Sequence, residues 1–224
     1  MTKAIDKILE NHEFTLLETK HVYYTFGNSD SMFISFAGVT TRYVSVTWFF
    51  EQKDFNYHCL FLKDDPVFNS YNDIKYRKII NHYARKFNIK RFIVFGPSMG
   101  GIGALRWGLK LRSDDFKLIG IISIDPQPWR FNNNLLVNEI KNGNFKDYPK
   151  IFLNYTFKDA NNVLHPYTDN IIKALQCKSC LLILQPYKST KHLDFIPSKE
   201  YLIDIINSME NLKIEKYDSF QKWQ

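Results

Sequence analysis

A serine between two glycines is the clearest chemical signal in this chain. The apolar run RFIVF leads directly into Gly96-Pro97-Ser98-Met99-Gly100, and a segment compatible with a helix follows. In this setting G-x-S-x-G is typical of a nucleophile elbow, a tight strand-to-helix turn that lifts a serine hydroxyl beyond the sheet. Side chains at positions 96 and 100 would collide across such a turn, which explains a glycine at each place. The pattern predicts acyl transfer through a covalent serine intermediate.

Two further glycines, Gly101 and Gly103, would allow the helix after the serine to lie close to the sheet. A glycine-rich turn can also bind phosphate or serve as a plain connection. The stretch 91–105 contains neither G-x-G-x-x-G nor G-K-[ST], so it gives little support to a dinucleotide or P-loop site.

A serine hydroxyl needs a neighbouring imidazole to take its proton. Downstream of Ser98 the chain has two histidines, His165 and His192. His192 lies in KSTKHLDF, after an apolar run and before the last helical segment, where a base is expected. His165 directly precedes Pro166 at a predicted helix start and is the alternative.

Three aspartates compete for the role of orienting that imidazole. Asp159 follows the predicted strand IFLNYTF and is the preferred candidate, since the usual order along the chain is serine, acid, histidine. Asp125 ends the preceding strand and is the alternative acid, although an aspartate before Pro126 can also simply mark the end of a strand. Asp194, two residues after His192, is poorly placed to reach the ring.

The tetrahedral intermediate of acyl transfer needs two backbone N–H donors aimed at its oxyanion. One is expected from Met99, the residue after the nucleophile, at the positive end of a helix dipole. The other is expected from the loop after SFAG, at Gly38 or Val39. Gly38 is also consistent with an ordinary turn glycine.

Strands and helices alternate in the way that these positions require. Strands are predicted at 14–18, 21–26, 32–38, 58–63, 89–95, 118–124, 151–157 and 180–186, and 45–50 is either a short strand or the start of a crossover. Helices are predicted at 71–87, 100–112, about 167–176 and 199–212, with a short helical pattern at Leu135–Ile140. This order predicts an α/β protein with a mostly parallel sheet.

Composition places limits on the class of protein. With 224 residues, 45% of them hydrophobic, the chain is long enough for one well-buried domain over 1–224. Three cysteines, no apolar leader and no long apolar span favour a cytoplasmic protein with no transmembrane segment. The net charge of +7 is spread along the chain without a basic, aromatic-rich stripe. We therefore expect no nucleic-acid partner, while an anionic polysaccharide remains a candidate ligand.

These residues carry a resemblance to a known family. FGPSMGGIGAL at 95–105, the SFAG end of an early strand, KDANN and KHLDF together resemble α/β-hydrolase serine enzymes across most of the chain. The layout is most similar to small bacterial proteins of surface-polysaccharide gene clusters, including capsule O-acetyltransferases. Phe36-Ala37-Gly38 stands where many lipases have a His-Gly oxyanion motif, which argues against lipase specificity.

The resemblance implies an α/β-hydrolase fold with helices on both faces of the sheet and no large lid. It implies an esterase or O-acyltransferase in which Ser98 is the nucleophile, Asp159 the acid and His192 the base. The substrate would be an O-acyl group on a bacterial surface carbohydrate. No metal or organic cofactor is needed, and acetyl-CoA would be the acyl donor of a transferase. The alternative is a catalytically silent module of this fold in an assembly or secretion complex. The sequence does not indicate an oligomeric state.

Overall fold

A computed structural model of the chain describes most of its length. The described residues are 2–25, 29–39, 43, 46–50, 55–64, 71–111, 116–127, 134–143, 149–158, 163–164, 166–178, 180–189 and 197–212. All structural statements below refer to these ranges. The expectation of a single domain over 1–224 stays a prediction.

The described strands form one sheet in the order β1-β2-β4-β3-β5-β6-β7, with β9 and the two-residue β8 both paired to β7. Neighbours from β4 through β7 and on to β9 run parallel, whereas β1, β2 and β8 pair antiparallel. The strands are β1 (Glu13–Leu16), β2 (Thr19–Thr25), β3 (Ser31–Phe36), β4 (His58–Leu62), β5 (Arg91–Pro97), β6 (Lys117–Ile124), β7 (Lys150–Lys158), β8 (Val163–Leu164) and β9 (Leu181–Lys188).

Helices pack on both faces of this sheet. One core holds buried side chains of α3 to α6, and a second core, across the sheet, holds those of α1, α2 and α7. The described helices are α1 (Thr2–His12), α2 (Val46–Phe50), α3 (Lys75–Lys86), α4 (Met99–Lys110), α5 (Leu135–Asn142), α6 (Pro166–Gln176) and α7 (Lys199–Asn211). Each of these described helices is too short or too polar to span a bilayer.

The central strands β3 and β4 are buried along their whole length, which is why continuous apolar runs predict them. Every residue of β3 and β4 is buried, as expected for parallel strands covered by helices on both faces. Because β3, β5, β6 and β7 are adjacent and parallel, the loops after them meet at one edge of the sheet. The segments that follow β3, β5 and β6 carry Gly38, Ser98 and Asp125.

Two predicted elements differ from the structure. The segment 45–50 contains the short helix α2, so the crossover alternative is correct and the strand is not. The predicted helix at 71–87 begins four residues late, at Lys75. The Asp73 carboxylate accepts the Lys75 N–H at 2.9 Å, and Tyr71 has a left-handed φ of 60° that no helix residue adopts.

Candidate active site

Ser98 occupies a strained turn between β5 and α4. Its backbone has φ 55° and ψ −124°, a left-handed conformation that a residue with a side chain rarely adopts. The next residue, Met99, begins α4, and Ser98 is 9% exposed. The backbone therefore has the sharp strand-to-helix turn expected of a nucleophile elbow.

The glycines on either side of the serine have a direct steric cause. A methyl group added at Gly96 would lie 2.1 Å from the carbonyl oxygen of Gly100. One added at Gly100 would lie 2.1 Å from the carbonyl oxygen of Phe36, at the end of β3. Both contacts involve main-chain atoms, which cannot move aside as a side chain can.

Hydrogen bonds from the neighbouring strand hold the turn in place. The Ser98 N–H donates to the Ile124 carbonyl at 2.8 Å, which extends the pairing of β5 with β6 past the end of β5. The Ser98 carbonyl accepts the Gly101 N–H at 2.9 Å and the Gln127 N–H at 3.3 Å. Main-chain contacts thus fix the conformation of position 98 independently of its side chain.

The first turns of α4 lie directly against the sheet. A side chain at Gly101 would meet the Ser123 hydroxyl at 2.9 Å, and one at Gly103 would meet the rings of Tyr71 and Phe36 at 2.7 and 2.9 Å. The close approach predicted for these glycines is therefore present. The Ser123 hydroxyl donates to the Gly101 carbonyl at 3.1 Å, which ties the helix to β6.

The two expected sources of oxyanion donors are neighbours in the fold. The added methyl at Gly100 would also lie 3.0 Å from the carbonyl carbon of Ala37, so the start of α4 lies against the chain just before Gly38. Met99 begins α4, and its side chain is buried in the core. Val39 is partly buried and packs on the same core. The backbone segments that contain Met99 and Gly38 therefore approach each other at this edge.

Asp125, the alternative acid, is buried and already bonded to the neighbouring strand. It follows β6 with φ 43° and is 1% exposed. One carboxylate oxygen accepts the Thr156 hydroxyl at 2.9 Å and the other accepts the Thr156 N–H at 3.3 Å. These bonds join the ends of β6 and β7.

Asp159 and His192, the preferred acid and base, lie outside the described residues, as do the alternatives His165 and Asp194. Their positions in the chain can still be related to the strands. Asp159 directly follows the last residue of β7, and His192 belongs to the connection between β9 and α7. The assignment of all catalytic roles therefore stays a prediction.

A tyrosine missed by the sequence reasoning lies beside the elbow. Tyr71 is fully buried, and its hydroxyl donates to the Ala37 carbonyl at 2.7 Å. Sequence periodicity assigns Tyr71 to a helix. No pattern in the sequence indicates that its backbone has a left-handed φ. Within the described residues, no group of three His, Cys, Asp or Glu side chains is arranged to hold a metal ion.

No protein-family model and no curated protein matches this chain at the sequence level. Solved structures do match it. A capsule O-acetyltransferase of Neisseria meningitidis serogroup A has a TM-score of 0.57 and 16% identity, covering 87% of this chain and 94% of its own. A histidine-to-alanine mutant of that enzyme, in complex with CoA, has a TM-score of 0.56 and 15% identity, with coverage of 87% and 94%. The chain has the α/β-hydrolase fold.

Two other proteins show the range of this fold. A phospholipase/carboxylesterase from Dyadobacter fermentans has a TM-score of 0.60 at 11% identity, covering 88% of this chain and 98% of its own. A structure of the Glycosylation Associate Protein (Gap123) complex from Streptococcus agalactiae has a TM-score of 0.56 at 14% identity. That match covers 80% of this chain and 42% of the other. At these identities the likeness establishes the fold, and function must be argued from the site.

Proposed function

We propose that this chain is a serine acyl enzyme that transfers or hydrolyses O-acyl groups of a carbohydrate. Ser98 is the nucleophile, His192 the general base, and Asp159 the acid that orients the imidazole. The N–H of Met99 and that of Gly38 or Val39 stabilise the oxyanion. The observation that supports the proposal most directly is the left-handed conformation of Ser98, the residue immediately before α4.

Strain at position 98 supports a chemical role because a less costly residue exists for this turn. A glycine would satisfy the same turn without the steric cost of a Cβ at φ 55°. A serine there places a hydroxyl at the positive end of the α4 dipole, and the first turn of α4 lies against the chain at the end of β3. This is where developing negative charge on a substrate oxygen would be stabilised.

The proposed reaction has two steps, acylation of Ser98 and then its deacylation. The Ser98 oxygen attacks the acyl carbonyl carbon, and its proton moves to the His192 imidazole. The tetrahedral intermediate collapses, the acyl–oxygen or acyl–sulfur bond breaks, and the leaving group takes that proton. In the second step water or a sugar hydroxyl gives its proton to His192 and attacks the acyl carbon of the acyl-serine. The bond between the acyl carbon and the Ser98 oxygen then breaks, that oxygen takes the proton from His192, and the free acid or the acylated sugar leaves.

Acetyl-CoA is the proposed acyl donor if the acceptor is a sugar hydroxyl. The support is the fold shared with a capsule O-acetyltransferase, one structure of which is a complex with CoA. An anionic surface polysaccharide suits the net charge of +7, although charge gives no information about the sugar.

Covalent labelling with a fluorophosphonate tests the nucleophile. We expect the wild-type protein to be labelled and Ser98→Ala to be unlabelled. Ser31→Ala is the matched control, since Ser31 is also a buried serine but begins β3 at the opposite edge of the sheet, and it should label like wild type. Equal labelling of wild type and Ser98→Ala would contradict the proposal.

Acyl turnover with and without a polysaccharide acceptor separates the two reaction types. A transferase releases product from acetyl-CoA only when the acceptor is present. An esterase releases free acid at the same rate in both conditions.

A second candidate is a catalytically silent module of an assembly. It is favoured by the likeness to a structure of the Gap123 complex, a match that spans less than half of that chain. A wild-type protein that resists the fluorophosphonate under all conditions would favour this second candidate.

A further inference from the structure

Tyr71 is the centre of a buried polar cluster beside the loop after β3. Its ring packs edge-on against Phe36 with centroids 4.9 Å apart, in the space that Gly103 leaves by having no side chain. Tyr71 itself has φ 60°, which is costly for an aromatic residue. Such a conformation persists only where surrounding contacts hold it.

Two side chains hold the backbone of Tyr71, and a third holds one of them in turn. Its N–H donates to a carboxylate oxygen of Asp64 at 3.0 Å, and its carbonyl accepts the indole N–H of Trp107 at 2.8 Å. The other carboxylate oxygen of Asp64 accepts the hydroxyl of Tyr76. The cluster thus joins the segment after β4, α3 and α4 around one tyrosine.

The hydroxyl of Tyr71 points at the loop expected to supply an oxyanion donor. It donates to the Ala37 carbonyl at 2.7 Å and lies 3.3 Å from the Leu62 carbonyl. The Leu62 carbonyl also accepts the Ala37 N–H at 2.9 Å. Burial raises the pKa of Tyr71 well above its usual value, so its hydroxyl keeps the proton it donates.

The peptide unit that joins Ala37 to Gly38 transmits this contact. A trans peptide is planar, and its C=O and N–H groups point in opposite directions. Holding the Ala37 carbonyl therefore fixes the direction of the Gly38 N–H. A glycine on one side of a peptide makes a flip of that peptide easy, because glycine tolerates both resulting conformations. The Tyr71 hydrogen bond opposes that flip.

We propose that Tyr71 is a positioning residue for the oxyanion hole, acting through the Ala37 carbonyl to keep the Gly38 N–H and the following residue aligned for the transition state. This inference rests on the proposed acyl-serine function. It also explains why a strained, fully buried tyrosine stands next to the elbow helix.

Tyr71→Phe tests this role by removing only the hydroxyl. We expect kcat to fall by about tenfold to a hundredfold, less than the loss of a whole oxyanion donor, while KM stays within about twofold. The inhibition constant of a boronic acid, whose tetrahedral adduct occupies the oxyanion hole, should rise by a similar factor. Tyr83→Phe is the matched control, since it removes a buried hydroxyl that bonds to His21 and lies outside the Tyr71 cluster. It should lower the Tm comparably and leave kcat and the inhibition constant unchanged.

A spectroscopic readout follows the loop without relying on turnover. The chain has nine glycines, so a ¹⁵N-glycine spectrum is simple to assign by substitution. In Tyr71→Phe the Gly38 amide signal should shift or broaden, and the signal of Gly143, which follows α5, should not. If Tyr71→Phe does not accumulate as folded protein, Trp107→Phe replaces it, because it frees the Tyr71 carbonyl. The same selective loss of kcat is expected in that variant.

The outcomes distinguish this inference from the function on which it rests. Wild-type kcat in Tyr71→Phe, or an equal loss in Tyr83→Phe, would overturn the inference while labelling of Ser98 still supports the enzyme. An unlabelled wild-type protein would overturn both.

Discussion

The carboxylate of Asp125 is bound on both oxygens by Thr156. The threonine hydroxyl donates to one oxygen at 2.9 Å and its N–H to the other at 3.3 Å. Both bonds cross from the end of β6 to the end of β7. Asp125 therefore has a structural use in joining these two strand ends, while the proposed function assigns the catalytic acid to Asp159.

Exchange of each aspartate for asparagine separates the two roles. In Asp159→Asn we expect kcat to fall by about 10⁴, because an imidazole without its carboxylate is held in the wrong tautomer, with little change in Tm. In Asp125→Asn we expect a loss of about 1–3 kcal/mol in the free energy of unfolding, because an amide cannot accept both bonds from Thr156. Ester turnover and denaturant unfolding measure the two effects.

The opposite result would reassign the acid. Near-normal turnover in Asp159→Asn together with a collapse of kcat in Asp125→Asn would make Asp125 the catalytic residue. Thr156→Val serves as control, since it removes one bond to Asp125 and should reproduce only the stability loss.

Gly96→Ala should disrupt the elbow. The new methyl would lie 2.1 Å from the Gly100 carbonyl oxygen and 2.9 Å from the Gly101 nitrogen, and these main-chain atoms cannot move aside as a side chain can. We expect the free energy of unfolding to fall by at least about 1–3 kcal/mol and fluorophosphonate labelling to be lost. Thermal unfolding and labelling report the two effects.

Gly143→Ala is the matched control for this clash. Gly143 follows α5 with φ −68° and ψ 138°, an extended conformation open to alanine. It should retain the wild-type Tm and labelling. A Gly96→Ala protein as stable and as reactive as Gly143→Ala would show that the turn is not held as described.

The stability of the fold should decrease as the pH falls through the range in which histidine titrates. His21 is fully buried, with one ring nitrogen 3.1 Å from the Thr19 carbonyl and the other 2.6 Å from the Tyr83 hydroxyl. Burial lowers the pKa of His21 below its usual value of 6.5. The unfolded chain therefore binds the proton first, so stability present above about pH 6.5 is lost as the pH decreases.

His21→Gln isolates this contribution. We expect the drop in Tm between pH 7.5 and 5.5 to be smaller in the variant than in wild type, whatever its absolute Tm. His82→Gln is the control, because His82 is exposed on α3, and it should keep the wild-type drop. A full wild-type drop in His21→Gln would show that other groups carry the pH dependence.

Ser98→Gly should be more stable than Ser98→Ala. A left-handed residue with a Cβ costs about 1–3 kcal/mol, and alanine keeps this cost while glycine removes it. Glycine also loses about 0.4–1 kcal/mol through the greater freedom of the unfolded chain. We therefore expect a net gain of about 1 kcal/mol, measured by urea unfolding of both variants. Equal stability would mean that position 98 is not strained.

The sequence was sufficient to predict the elements that continuous apolar runs and helical stripes define. The strand before Ser98, the helix after it and the glycines between them were predicted from steric rules, and the structure shows those contacts. Runs such as β3 and β4 are predictable because both faces of a parallel strand are apolar.

Other features depend on contacts between distant parts of the chain. Tyr71 lies within the range predicted as a helix, yet its N–H bonds to Asp64 and its hydroxyl to Ala37, and these partners are neighbours only after folding. The periodicity of apolar residues does not predict the two hydrogen bonds from Thr156 to Asp125 either. Polar clusters of this kind are where local patterns stop predicting structure.

Under the proposed function, the left-handed backbone at Ser98 lowers stability at the position where the reaction needs a hydroxyl. Laboratory selection for heat resistance alone would be expected to replace the serine with glycine at an early round. A library screened in that way would enrich robust proteins that have lost the hydroxyl, so selection pressure on turnover has to be applied in the same rounds.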